Sequence, residues 1–234
     1  MKKISWFGLL TLGCLFFSSC SKEEMPSEGS APFNETVIAY FKTIALGFED
    51  GTASKVTRRW QSDVRIYLGG LVDEEIYQKV EQTVQGLNDL IEINVELSIV
   101  EDSTLSNVYA YFGSAAAYEF LFNENVGNNT GQFRVWWNND IINKARIFVD
   151  LNRLNDTQQT SVILEEFTQM MGLGNDAAIY SNSIFYETAS NPGFATEYSE
   201  RDRAVINLLY RPEMGVGLNA STVDNLLRIM LDEG

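Results

Sequence analysis

The sequence of 234 residues contains no histidine, and its two cysteines, Cys14 and Cys20, both lie near the N-terminus. Without histidine, no arrangement of the chain can build the three-histidine site of a zinc enzyme. After Cys20 there is no further thiol, which excludes a disulfide, a cysteine nucleophile and a cysteine-type metal site in the body of the chain. A hydrophobic core alone must therefore hold the domain together, and roughly 200 residues suffice for one large domain.

Basic residues are also scarce, with 17 Lys and Arg against 32 Asp and Glu, so the formal net charge is −15. Removal of Lys2 and Lys3 with an N-terminal leader would make the charge more negative still. A surface of this sign repels phosphates and anionic lipid headgroups, so we predict no binding to nucleic acid and no charge-driven binding to membranes. Acidic surfaces serve solubility more often than cation binding, and without histidine or cysteine ligands we predict no metal site and no cofactor.

The N-terminal segment has the pattern of an export signal. Lys2 and Lys3 precede an apolar run over 4–17, which is short for a membrane span but suits a signal peptide. Small residues then stand directly before Cys20, as in bacterial lipoprotein signals, in which the cysteine is lipidated and becomes the mature N-terminus. An ordinary secretory signal with an incidental cysteine is the alternative.

This pattern predicts a signal peptide over 1–19, a lipid-anchored tether over 20–32 and a single domain over 33–234. The tether is polar and carries Pro26 and Gly29. Its first residues, 21–24, resemble the acidic export signal of some bacterial surface lipoproteins. We therefore expect a cell-envelope protein attached to the outer membrane through lipidated Cys20. The sequence does not indicate on which face of that membrane the protein lies.

Alternating strand and helix patterns fill the rest of the chain and predict an α+β domain with a mixed sheet. Helices are expected after Asn34 and Asp73, over Ala115–Phe122, after Asp156 or Thr157, over Ser199–Tyr210 and through Val223–Leu231. Strands are expected over Val64–Leu68, Val95–Val100, Asn107–Phe112, Gln132–Asn138 and Ala145–Asp150.

The helix that ends near Gly172 carries the most informative pattern in the chain. Ile163, Leu164, Phe167, Met170 and Met171 recur at helical spacing, which predicts one buried side. Three polar residues on another side lie three and four positions apart, so their heads can meet. Gly172 should end the helix with a positive φ. Those three polar residues are Glu165, Glu166 and Gln169.

This segment keeps the frame of the zinc-peptidase helix HExxHxxGxxH, written here as EExxQxxGxxND. Glu165 stands at the first ligand position, Glu166 at that of the catalytic glutamate, Gln169 at the second ligand and Asn175 at the third, with Asp176 beyond. The order of sheet, site helix, turn and C-terminal helix also resembles the metzincin-type metallopeptidases. The resemblance implies a metzincin-like (zincin-like) fold with a mainly helical C-terminal subdomain, without the histidine ligands.

The chain resembles still more closely a group of bacterial envelope domains of unknown function. The matching segments are Glu165–Asp176, Ser183–Phe185 and Asp202–Pro212. In the metzincin frame, Ser183–Phe185 stands at the methionine turn, with Phe185 in place of methionine. The function of this group is unknown, so the resemblance implies a fold and no activity.

Each candidate residue also has a structural interpretation. Glu165, Glu166 and Gln169 can form a solvated helix face, or they can line a cleft together with Asn175 and Asp176. Trp136 and Trp137 can be plain strand residues, and we expect one of them in the core. On the metzincin plan, their strand borders the substrate groove, where an exposed tryptophan stacks on a ligand. Arg58, Arg59 and Trp60 form a predicted packing and ion-pair element.

The leading hypothesis is a non-catalytic envelope lipoprotein that binds a peptide or glycan, because Gln169 and Asn175 offer neutral amides, which are poor zinc ligands. The rival is a peptidase- or glycosidase-like hydrolase. It would use the carboxylates of Glu165, Glu166 and Asp176, with Glu166 as catalytic base, alone or with calcium or manganese. A third hypothesis makes the module a structural subunit of an envelope complex.

Overall fold

The computed structural model of the chain describes residues 33–49, 51, 53–188 and 193–232. The predicted signal peptide, the tether and Cys20 lie outside the described residues. The elements described below all belong to one unit that begins at Phe33.

One mixed sheet forms the centre of the domain. Strands β2, β3, β4 and β6 pair in parallel in the order β3-β2-β4-β6, and the short β1 pairs in parallel with the start of β6. Strand β5 pairs antiparallel with β6, on the side of β6 opposite to β1 and β4, so β5 is an edge strand. The strands are β1 Arg59–Trp60, β2 Val64–Gly70, β3 Leu97–Val100, β4 Val108–Gly113, β5 Gly131–Asn138 and β6 Ile141–Asp150.

Six α-helices accompany the sheet in the described part of the chain, most of them capped by polar side chains. Asp73, Ser114 and Ser199 each accept a hydrogen bond from the third residue after them, which satisfies an otherwise free amide. The capping box of Ser199 and Asp202 is confirmed. The helices are α1 Phe33–Ala45, α2 Glu74–Asn88, α3 Ala115–Phe122, α4 Asp156–Gln169, α5 Glu200–Leu209 and α6 Ala220–Asp232.

Two predicted helix starts are wrong by a residue or two. Asn34 lies inside the first turn of α1 instead of capping it, and its amide donates a hydrogen bond to the carbonyl of Leu231, 3.2 Å away. Helix α4 is capped by Asn155, one residue before Asp156 and two before Thr157, through a capping box with Gln158. For α1, a tertiary partner, the carbonyl of Leu231, engages the side chain of the predicted cap. For α4, a neighbouring polar side chain, that of Asn155, takes the capping role.

The core lies where the sheet meets its helices. Helix α4 packs against β5, β6 and α2, while α1 packs against α5 and α6. Trp60, Phe41, Phe112 and Phe167 are fully buried there. No helix in the described part of the chain has the length and apolarity to cross a membrane. The mixed sheet packed on helices is confirmed, and the C-terminal part contains α5 and α6.

The segment that contains β1 joins the end of α4 to the end of α5. The Trp60 indole donates to the carbonyl of Met170 at 3.0 Å, and the Arg59 guanidinium donates to the carbonyl of Leu209 at 2.8 Å. Arg58 forms an ion pair of 2.9 Å with Asp140. This agrees with the expected packing and ion-pair element.

Candidate functional site

Helix α4 is enclosed on more than one side, which explains why its pattern is ambiguous in the sequence. Its predicted apolar side is buried, and Glu166 and Gln169 on the other side are buried as well. The alternative of a solvated helix face is therefore wrong for these two residues. Glu165 is half-buried.

Gly172 has the predicted positive φ, +107°, although α4 itself ends earlier, at Gln169, with Met170 as its C-cap. A Cβ atom there would lie 1.9 Å from the carbonyl oxygen of Arg58, so no larger residue fits without a shift of the backbone. The turn directs the chain back beneath the helix, and it brings Asp176 next to Gln169.

A cavity of about 310 Å³ opens beside α4 and collects five carboxylates. Glu165 and Glu166 come from the helix and Asp176 comes from the loop after Gly172. Glu49 follows α1, and Glu187 follows the turn over Ser183–Phe185. No lysine or arginine lies among the described residues that line this cavity. The net charge of the cavity must therefore be balanced by protons or by a bound cation.

Glu166 is the most buried of the five, with 7% of its surface exposed. Its Oε2 atom has no hydrogen-bond partner among the described residues. Gly131 at the start of β5 faces this carboxylate, and a Cβ atom on Gly131 would lie 2.3 Å from Glu166 Oε1. Burial and the neighbouring Glu165 raise the pKa of Glu166 well above its ordinary value.

Asp176 occupies the centre of the cluster. The Gln169 amide donates a hydrogen bond of 2.7 Å to Asp176 Oδ1, which fixes the orientation of both side chains. Burial, together with hydrogen bonding to Glu49 and Glu187, raises the pKa of Asp176 to about 10. Burial and the charges of Glu187 and Glu49 likewise raise the pKa of Glu165 to about 8.

The donors in this cavity do not fit the zinc site of the peptidases that the frame resembles. Zinc in proteins favours imidazole nitrogen and thiolate sulfur. Here the position of the second ligand holds Gln169, whose amide nitrogen is committed to Asp176. The third holds Asn175, whose amide contacts the carbonyl oxygens of Ile44, Leu46 and Gly47 at 3.1–3.4 Å.

Asn175 is thus a structural residue that ties the turn after α4 to the end of α1. It does not line the carboxylate cavity. The prediction that it is a cleft residue is wrong, because three backbone carbonyls compete for its amide more effectively than an open cavity does. Glu165, Glu166, Gln169 and Asp176 are brought together as predicted.

A second, wider cavity of about 640 Å³ runs along the edge strand β5. Glu49, Asn128, Asn129 and Gln132 line both cavities, so the two adjoin, and together they are called the cleft here. The carboxylates lie at one end of this cleft and the aromatic residues of β5 along its length.

Trp136 and Trp137 both line the wider cavity, and neither lies in the core. Trp137 is 38% exposed, with its ring 5.4 Å from that of Phe48 and 4.6 Å from the Arg58 guanidinium. The expectation that one tryptophan is buried is wrong. Val135 takes the buried position, and an irregularity in the β5–β6 register falls between the two tryptophans.

The turn over Ser183–Phe185 connects α5 to the segment that carries Asp176. The Ser183 hydroxyl donates to Asp202 at 2.6 Å, and Asp202 also accepts from the amide of Ile184. Phe185 is fully buried, and its carbonyl accepts a hydrogen bond from the amide of Ala177, next to Asp176. Asp202, which forms the α5 capping box with Ser199, therefore also fixes the turn that leads to Glu187.

Glu49 and Glu187 are the functional candidates that the sequence did not reveal. Both lie in irregular segments, far from α4 in sequence or beyond its motif, and neither belongs to a periodic pattern. The resemblance carried no assignment for them. The one available signal was that Glu187 closely follows the Ser183–Phe185 turn.

The fold and the site define a mixed α/β domain whose cleft combines a carboxylate cluster with an open edge strand. The chain belongs to the family described as "Protein of unknown function (DUF2927)", whose model matches residues 34–229. No curated protein matches the sequence.

Two solved structures of myroilysin are similar to the chain. One is 14% identical with a TM-score of 0.42, covering 67% of this chain and 97% of that one. The other is 13% identical with a TM-score of 0.44, covering 77% of this chain and 96% of that one.

Proposed function

We propose that the chain is a lipid-anchored envelope protein with a metallopeptidase-like cleft that binds an extended peptide without cleaving it. The observation that carries this proposal is the free edge of β5 along the wider cavity. Alternate residues of β5 direct their backbone N–H and C=O groups away from β6, and these groups have no hydrogen-bond partner among the described residues. Such an edge is a template for the addition of a peptide strand.

Side chains around β5 provide contacts that a peptide needs beyond its backbone. Trp137 presents an exposed ring against Phe48, on which an apolar side chain can pack. The acidic end of the cleft favours a basic side chain or a free amino terminus of the peptide. These contacts would therefore fix both the direction of an extended peptide along β5 and its register against the strand.

The site chemistry supports binding over hydrolysis of the zinc-peptidase kind. Gln169 and Asn175 are both engaged in hydrogen bonds inside the protein, so they do not supply the ligands of that mechanism. A hydrolase that uses the carboxylates directly is the second candidate. The observation in its favour is Glu165, whose pKa of about 8 keeps it mostly protonated near neutral pH, as a general acid requires.

The first experiment is capture of ligands from the native envelope. Immobilised full-length protein in mild detergent is incubated with an envelope extract, and bound material is identified by mass spectrometry. We expect enrichment of peptides that share a pattern with a period of two residues, as alternate side chains face the protein. Enrichment of glycans, or of no class of molecule, would contradict the proposal.

A synthetic copy of a captured peptide then tests the mode of binding. Methylation of its backbone nitrogens, one position at a time, should weaken binding at every second residue and leave the alternate residues unaffected. Trp137→Ala should weaken binding about tenfold or more, in line with the loss of an aromatic anchor. Phe120→Ala is the matched control, because Phe120 is 92% exposed on α3 and lines neither cavity.

The hydrolase candidate is decided in the same experiment. If the cleft is catalytic, the captured peptide or a captured glycan is cleaved over time, and Glu165→Gln abolishes the cleavage. Intact ligand after prolonged incubation supports the binding protein.

A further inference from the structure

Three carboxylates in the cleft are grouped in the way that a cation requires. Glu49, Asp176 and Glu187 each offer one oxygen atom, and these oxygens all lie within 4.8 Å of one another. The three residues come from separate segments of the chain, so local sequence does not force them together. Like charges at this spacing repel each other unless a proton or a cation lies between them.

A second observation at the same cavity also points to a ligand. Glu166 lines this cavity with 7% of its surface exposed, and its Oε2 atom is without a partner among the described residues. A buried carboxylate oxygen that accepts no hydrogen bond is costly and rare in proteins. A bound cation with its water shell would satisfy this atom, whereas the side chains around it do not.

We propose that this cavity binds one divalent cation of the calcium class, with Glu49, Asp176 and Glu187 as its direct ligands. A cation in the cavity would favour the ionised form of Glu166, which would then add a negative charge from the buried side. Gln169 acts as a positioning residue, because its hydrogen bond to Asp176 Oδ1 holds that carboxylate in the cavity. This proposal rests on the carboxylates alone and does not require the free edge of β5.

The donor set selects the class of cation. All the candidate ligands are carboxylate oxygens, which hard cations prefer. Among the described residues that line the cavity there is no histidine or cysteine, the ligands that zinc favours. Calcium binds oxygen at about 2.3–2.6 Å, so two ligands on opposite sides of the ion lie about 4.6–5.2 Å apart. The three oxygens lie within 4.8 Å of one another, so none of these separations exceeds the span that one calcium ion bridges. Glu49 and Glu187 are exposed, which leaves room for the water ligands that complete a calcium shell.

The test is calorimetric titration of the full-length protein with calcium chloride, after treatment with EDTA and exchange into metal-free buffer with detergent. We expect saturable binding of one ion per chain, with a Kd on the order of 10⁻⁵ to 10⁻³ M. Glu187→Gln and Glu49→Gln should each raise the Kd about tenfold or more. Both residues are exposed, so these variants should fold like the wild type.

Two further variants complete the design. Glu166→Gln keeps the shape of the side chain while removing its charge, and it should weaken calcium binding with little change in the melting temperature. Glu81→Gln is the matched control, because Glu81 is an exposed glutamate on α2 outside the cavity. It should bind calcium like the wild type.

Three outcomes would overturn the proposal. These are no saturable heat with calcium up to several millimolar, unchanged binding in both Glu187→Gln and Glu49→Gln, and stoichiometric zinc binding that is much tighter than calcium binding. Peptide capture repeated in EDTA separates this proposal from the proposed function. Peptide binding without calcium supports the edge-strand proposal alone, and calcium binding without peptide supports the cation site alone.

Discussion

Gly131→Ala is the most direct test of how closely β5 packs on the carboxylate cavity. The added Cβ atom would lie 2.3 Å from Glu166 Oε1 and 2.4 Å from Val162 Cγ1. Carbon atoms in ordinary contact are about 3.5–4.0 Å apart, so Val162 or the strand must move by more than about 1 Å. Val162 is 5% exposed, which leaves it little space to move.

Two opposing terms set the magnitude. Overpacking at a buried site costs about 1–3 kcal/mol. Replacing glycine with alanine also reduces the freedom of the unfolded chain, which stabilises the fold by about 0.4–1 kcal/mol, as the backbone at Gly131 has no positive φ. We therefore expect Gly131→Ala to lower the free energy of unfolding by about 1–2 kcal/mol.

The assay is urea denaturation in EDTA, with Gly86→Ala as the matched control. Gly86 lies inside α2, and a Cβ atom there would meet only Tyr198, at an ordinary distance of 3.5 Å. That substitution should stabilise the protein by up to about 1 kcal/mol through helix propensity alone. A Val162→Ala exchange in the Gly131→Ala background should recover part of the loss, as the two residues share one contact. Equal stability of Gly131→Ala and Gly86→Ala would refute the close packing at Gly131.

Three other predictions address the core, the site and the N-terminus. Phe167→Ala, at a fully buried position on α4, should lower the free energy of unfolding by about 3–5 kcal/mol in a denaturation experiment. The raised pKa of Glu165, about 8 against an ordinary 4.5, means that the folded chain holds this proton more tightly than the unfolded chain. Stability of the cation-free protein should therefore fall as the pH rises from about 4.5 to 8, and less steeply in Glu165→Gln, as melting curves at several pH values would reveal. Cys20→Ser should release the protein from the membrane fraction, and unchanged partitioning and lipid labelling would show that the lipoprotein prediction is wrong.

The helical and strand periods of the apolar residues predicted most of the secondary structure. Helix α3 begins and ends where its pattern predicted, and strands β2 to β6 lie within a few residues of their expected bounds. Strand β1 was missed because two residues display no period. Its position depends on tertiary contacts, such as the hydrogen bond from the Trp60 amide to the Tyr210 hydroxyl, which local sequence does not encode.

The candidate site was only half predictable for a similar reason. Glu165 and Glu166 are fixed by one helix, so their spacing was readable, and Asp176 follows from the turn after Gly172. Glu49 and Glu187 reach the cavity from irregular segments, and their positions depend on how the helices pack. Whether Trp136 and Trp137 are buried or exposed depends on a register irregularity in β5, which the alternation of residue types does not reveal.

The residues that preserve the peptidase-like frame have structural roles that do not depend on a metal. Gly172 fits a turn where any Cβ atom would collide with the backbone. Tyr210 donates its hydroxyl to the carbonyl of Met171 at 2.8 Å, and Asp202 holds the Ser183 turn in place. A chain can therefore keep this frame while its ligand positions change. The frame indicates the fold alone, whereas the carboxylates and the edge strand bear on function. Calcium and peptides test those features, whereas assays designed for zinc peptidases address histidine ligands, and this chain contains no histidine.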